Sequence, residues 1–177
     1  MAVDRSLLSV YMNDHLAGAT GGVNRVQRMS EAYAGTPLAP PLERLAGELA
    51  EERAWLAAQI ERLDLGVSRY KVVGAAIGER LARLKPNGRV SRRSPLSALL
   101  ELELLRSALR GKESGWQTLK VCSAEAGPGT AGRDPEVRFD VDQLDVWIAQ
   151  ADRQYETVDR LLTAVRQRAL VAAQSEA

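Results

Sequence analysis

The sequence predicts an all-α protein, four long helices packed as a bundle with a short helix joining the second to the third. Three observations predict it. From Asp142 to Ala169, the residues Leu144, Ile148, Ala151, Tyr155, Val158, Leu162, Val165 and Ala169 follow an unbroken 4,3,4,3 spacing. That is one apolar stripe down a helix roughly 40 Å long, which cannot be buried unless other helices lie along it. Apolar residues at helical spacing recur in four earlier segments, separated by Pro and Gly signals. Leu and Ala are abundant and there is a single Phe, a composition that favours helices over a sheet.

The first helix is predicted over residues 6–33. Its stripe is Leu8, Met12, His15, Ala19, Gly22, Val26, Met29 and Tyr33, widened by Leu16 and Val23. Gly18, Ala19, Gly21 and Gly22 thin its middle, so they either admit a close approach of a neighbouring helix, expected at Ala19 and Gly22, or mark a local break. Pro37, Pro40 and Pro41 end the helix. The second helix is predicted over 42–63, with Leu42, Leu45, Leu49, Leu56, Ile60 and Leu63 as its stripe. Glu52 and Arg53 flank that stripe equally, so the phase does not decide which of them points inward. The short connection makes these two helices antiparallel.

A shorter helix follows over 68–84, capped by Ser68 and stopped at Pro86 and Gly88. The third long helix, 95–121, starts at Pro95. Leu96, Leu99, Leu100, Leu102, Leu104, Leu105 and Leu109 surround its first half, which predicts burial on every side. Residues 123–139 are rich in Gly and Pro and are expected to form a mobile, dispensable loop. Asp140 caps the last helix, 142–169, and the tail 171–177 is expected to fray. The whole chain reads as one domain.

Charge nearly cancels, with 24 Lys and Arg against 23 Asp and Glu, so net charge points to neither nucleic acid nor membrane. No run of about 18 apolar residues is present to span a bilayer, and no basic-then-apolar leader opens the chain. One cysteine, Cys122, excludes an intrachain disulfide and suits a reducing compartment, so a cytoplasmic location is expected. One histidine excludes any site needing two imidazoles from one chain. No phosphate-cradling Gly-rich loop, Ser/His/Asp order or Cys/His cluster is present.

Two helical hairpins joined by a long helical connection form a layout that resembles the ferritin-like bundle. An up-and-down bundle with an appended helix is the other arrangement the pattern allows. The resemblance implies a Glu on each of two helices and Glu-x-x-His on each of the others. The first helix offers His15 and the third offers Glu103. The second carries Glu52-Arg53-Ala54-Trp55 and the fourth Asp152-Arg153-Gln154-Tyr155, with Trp and Tyr where histidines belong. Both paired histidines are missing, so the resemblance implies the layout without an intact di-iron centre.

The leading expectation is therefore a bundle with a structural or protein-interaction role, self-association included, with no cofactor and no catalysis of its own. His15 is expected inside the bundle, hydrogen-bonded to Glu52. Its rival role is as the one nitrogen ligand of a degenerate iron, manganese or zinc site with Glu52 and Glu103. Glu101 and Glu103 interrupt the leucine-rich helix and need cationic partners, for which Arg106 and Arg53 are the candidates. A third reading rests on Arg80, Arg83, Lys85, Arg89, Arg92 and Arg93, a basic segment that could take phosphate, nucleic acid or an acidic surface. It lacks interleaved aromatics, so pairing with the acidic second helix is the simpler expectation.

Overall fold

The computed structural model describes residues 3–66, 95–125 and 137–171. They form four α-helices: α1 (Arg5–Ala32), α2 (Ala39–Arg62), α3 (Pro95–Glu125) and α4 (Val141–Val171). The protein is an all-α four-helix bundle, with no strand among the described residues. The short helix expected over 68–84, the basic residues from Arg80 to Arg93 and the tail from 172 onward lie outside the described residues.

α1 is capped by Asp4, whose carboxylate accepts from the backbone N–H groups of Ser6 (2.8 Å) and Leu7 (3.1 Å). The helix runs unbroken through its glycines. Its middle is rotated from the expected stripe: Leu16 and Val23 are buried, while His15, Ala19 and Gly22 are half-buried. The close approach expected at Gly22 is absent, since nothing lies within 4 Å of the position a Cβ would take there. α2 begins at Ala39, three residues earlier than expected. Pro40 and Pro41 open this helix instead of closing the previous one, because first-turn N–H groups have no partner to lose. At its other end, Arg5 and Ser9 donate to the carbonyls of Leu63 and Leu65, and Asn13 Nδ2 donates to the Gly66 carbonyl at 3.2 Å. These bonds tie the end of α2 to the start of α1.

α3 extends to Glu125, past the start of the loop expected over 123–139, of which residues 126–136 lie outside the described residues. Val137 and Phe139 are buried, the Phe139 N–H donates to Ser123 Oγ at 3.0 Å, and Arg62 donates to the Arg138 carbonyl at 2.6 Å. Two apolar side chains after the Gly-rich run are enough to pull its end into the core. Asp140 caps α4 as expected, accepting from the Gln143 N–H at 3.1 Å.

The cross-bundle contacts set the topology. Near the start of α3, Glu101 accepts from Tyr33 Oη at 2.7 Å and pairs with Arg25 at 3.3 Å, both near the end of α1. Arg62, closing α2, meets the segment that opens α4. Each helix is therefore antiparallel to both neighbours in the order α1, α2, α4, α3, and the diagonal pair α2 and α3 is parallel. α2 therefore ends, and α3 begins, at opposite ends of the bundle, which an up-and-down arrangement does not have. The leucine-rich half of α3 is not buried on every side: Leu96 (54% exposed) and Leu100 (41%) face outward. The core divides into two clusters. One holds Val26, Met29, Leu42, Leu102, Leu105 and Leu162. The other holds Leu8, Met12, Ile60, Trp116, Val137 and Leu144.

Candidate functional site

Each helix carries a pair of uncharged, mostly apolar residues seven positions apart with a polar residue three after the first: Met12–His15–Ala19, Leu49–Glu52–Leu56, Leu109–Lys112–Trp116 and Ala151–Gln154–Val158. Positions i, i+3 and i+7 share one helix face, so each polar side chain is carried to the seam its apolar neighbours line. The antiparallel pairing brings these positions to a common level, the waist between the two clusters.

Three of the four form one network. The Lys112 ammonium donates to Glu52 Oε2 and to Gln154 Oε1. Glu52 Oε1 accepts from Gln150 Nε2 at 2.9 Å and Gln154 Nε2 at 3.1 Å, and Gln154 Nε2 also donates to Glu48 Oε2 at 2.8 Å. Glu52 is 1% exposed and Gln154 2%. A carboxylate this deep requires a cation and several donors, and the network supplies both. Burial pushes the Lys112 ammonium below its usual range, against the pull of Glu52. Lys112 and Gln154 did not emerge as functional residues from the sequence reading. Their signal was the seven-residue gap between apolar neighbours, filled by a polar side chain at the third position.

His15, the fourth, does not join the network. The expected bond to Glu52 is absent: Glu52 is engaged by Lys112, Gln150 and Gln154. Instead His15 lies against Tyr11, with ring centroids 4.5 Å apart, and over Gly115 of α3. A Cβ at Gly115 would lie 2.8 Å from His15 Cε1 and 2.9 Å from Nδ1, so the missing side chain is what admits the imidazole. Burial lowers the His15 pKa from its usual 6.5, opposed by the neighbouring Asp14 carboxylate.

On this side of the waist the seam is open. A cavity of about 530 Å³ lies among α1, α2 and α3. It exists because the facing residues are small: Gly18, Ala19 and Gly22 on α1, and Ala108, Gly111 and Gly115 on α3. Its walls are chiefly apolar, formed by Met12, Leu56, Leu109, Trp116 and Leu119, with His15, Glu52 and Lys112 among the polar groups. Trp116 packs edge-on against Trp55 at 5.6 Å between ring centroids, and its buried Nε1–H has no acceptor among the described residues.

The three residues expected as metal ligands are not gathered. Glu52 belongs to the lysine network, and Glu103 is half-exposed and pairs with Arg166 at 3.6 Å. No group of three or more His, Cys, Asp or Glu side chains suited to a metal occurs among the described residues. The partners expected for the α3 carboxylates also differ. Glu101 is held by Tyr33 and Arg25, Arg106 pairs with Asp159 at 2.8 Å, and Arg53 donates to Thr20 Oγ1 at 2.9 Å. Glu52, not Arg53, is the residue that points into the core. Burial raises the Cys122 thiol pKa, which disfavours the reactive thiolate. No helix among the described residues is long and apolar enough to cross a membrane. Comparison with protein families, with curated proteins and with solved structures finds no match to this chain.

Proposed function

We propose that this protein is a non-catalytic binding bundle whose working part is the cavity at its waist, which takes up a small and largely apolar molecule. The observation that carries this reading is the cavity itself: about 530 Å³, walled by apolar side chains and framed by six small residues on two facing helices. That volume falls in the range of small-molecule sites, which are mostly apolar with a few placed polar groups. The expectation of a non-catalytic role is kept, and its partner moves from a protein to a small molecule. The ferritin-like layout is supported by the parallel run of α2 and α3, and it is proposed here as a scaffold only. A cytoplasmic setting fits the single cysteine.

The test is uptake of an apolar fluorescent probe, read by probe emission and by the melting temperature. Binding should raise the melting temperature in proportion to saturation. Gly22→Leu should abolish both effects, because a leucine there projects into open cavity space. Probe binding that persists unchanged in Gly22→Leu would place the site elsewhere.

A further inference from the structure

Building on the cavity reading, we propose that the ligand is an uncharged molecule carrying a hydroxyl group, which is held by the imidazole of His15. His15 lines the cavity from α1, and the nitrogen-bearing edge of its ring reaches toward α3. Cε1, Nδ1 and Nε2 are the atoms nearest the place a Gly115 Cβ would take, at 2.8, 2.9 and 3.5 Å. Gly115 lines the cavity too, so this edge crosses the seam that the cavity occupies. Neither ring nitrogen has a hydrogen-bond partner among the described residues, and neither is closed off from solvent. The imidazole therefore stands in an apolar cavity with its donor and its acceptor both open to an occupant.

The lining charges disfavour an ion. Asp14 and Glu52 stand against Arg53 and Lys112, and the four sum to zero. Lys112 is matched to Glu52, Arg53 donates to Thr20, and Asp14 is exposed. A charged occupant would be buried without a counter-ion, at a heavy desolvation cost. Burial lowers the His15 pKa from 6.5, so at neutral pH the ring is uncharged and offers one N–H donor and one bare nitrogen acceptor. A hydroxyl both donates and accepts, so a single ligand group serves whichever nitrogen it meets. An ether or a carbonyl can only accept and leaves the bare nitrogen unserved. The Tyr11 ring, 4.5 Å from the imidazole between centroids, backs it with an aromatic surface.

Three probes on one ring system test this: naphthol (neutral, a donor and acceptor), methoxynaphthalene (neutral, an acceptor only) and naphthoate (an anion). The quantity to read is the affinity ratio of naphthol to methoxynaphthalene, compared between the parent and His15→Leu, because differences in size and partition cancel. The ratio should be about fivefold higher in the parent, the factor typical of one net hydrogen bond. Should His15→Leu fail to fold, the nitrogen-15 spectrum of the parent gives the same answer. His15 is the only histidine of the chain, so that spectrum holds a single imidazole. Its bare nitrogen should move upfield with naphthol and stay in place with methoxynaphthalene. An equal ratio in the two proteins, or a bare nitrogen that naphthol leaves in place, would overturn the hydroxyl assignment while the cavity reading stands. Tightest binding by naphthoate would overturn the assignment of a neutral ligand. Failure of all three to bind would overturn the cavity reading itself.

Discussion

The two sides of the waist face the same problem and solve it in opposite ways. Between α2 and α4 the seam is filled by long polar side chains, Glu48, Glu52, Gln150 and Gln154, which bond to one another and to Lys112. Between α1 and α3 the facing residues are Gly18, Ala19, Gly22, Ala108, Gly111 and Gly115, too short to meet, and the seam stays open. Side-chain length, not polarity, separates a closed seam from a cavity. Lys112 links the two sides: it rises from α3 on the open side, lines the cavity, and places its ammonium in the network on the closed side.

Breaking the closed side should have the largest effect. Lys112→Met strands Glu52 as a buried, uncompensated carboxylate and should cost about 3–5 kcal/mol in urea denaturation. Adding Glu52→Leu removes the stranded charge and should recover much of that loss. A single-variant cost under about 1 kcal/mol would show that water reaches Glu52 and that the closed side is not closed.

Filling the open side should do the reverse. Gly22→Leu replaces a helix-interior glycine with nothing in the way, and should raise stability by about 1 kcal/mol from helix propensity. A loss of stability would mean that α1 meets its neighbour there after all.

The contact of Gly115 with His15 sharpens the boundary between the two sides. Gly115→Ala places a methyl group against the imidazole, so its propensity gain of about 1 kcal/mol should be offset in the parent and appear in full in a His15→Ala background. A double-mutant cycle should return a coupling of about 0.5 kcal/mol or more. Additive effects would show that His15 does not rest on Gly115.

The smallest effect expected is a pH dependence from His15. Its folded pKa lies below 6.5, so above that pH the imidazole is neutral in both states and its contribution is at its maximum. As pH falls below 6.5 the unfolded chain takes up the proton first, and stability drops until the folded pKa is passed. The parent should therefore lose more stability than His15→Gln between about pH 7 and about pH 5. Parallel stability curves would show that the imidazole is as free to protonate in the folded state as in the unfolded chain.

The sequence by itself determined the four described helices and the stripe of α4, though not the rotation of α1 in its middle or the exposed side of α3. The 4,3 spacing from Leu144 to Val165 needs no neighbour to be read, because periodicity is local. Asp140 as a cap and Pro95 as a first helical residue were legible for the same reason. The seven-residue gaps holding His15, Glu52, Lys112 and Gln154 were present in the chain as well, but a gap does not say which polar residues will meet. Only the tertiary structure decided that Glu52 turns inward rather than Arg53, and that its cation is Lys112, sixty positions away. It also decided that His15 rests on Gly115, and that the glycines of α1 border a cavity instead of a tight crossing. Local spacing sets the face on which a side chain stands. The length of whatever stands on the facing helix, which no local pattern encodes, sets whether that side chain finds a partner or an open space.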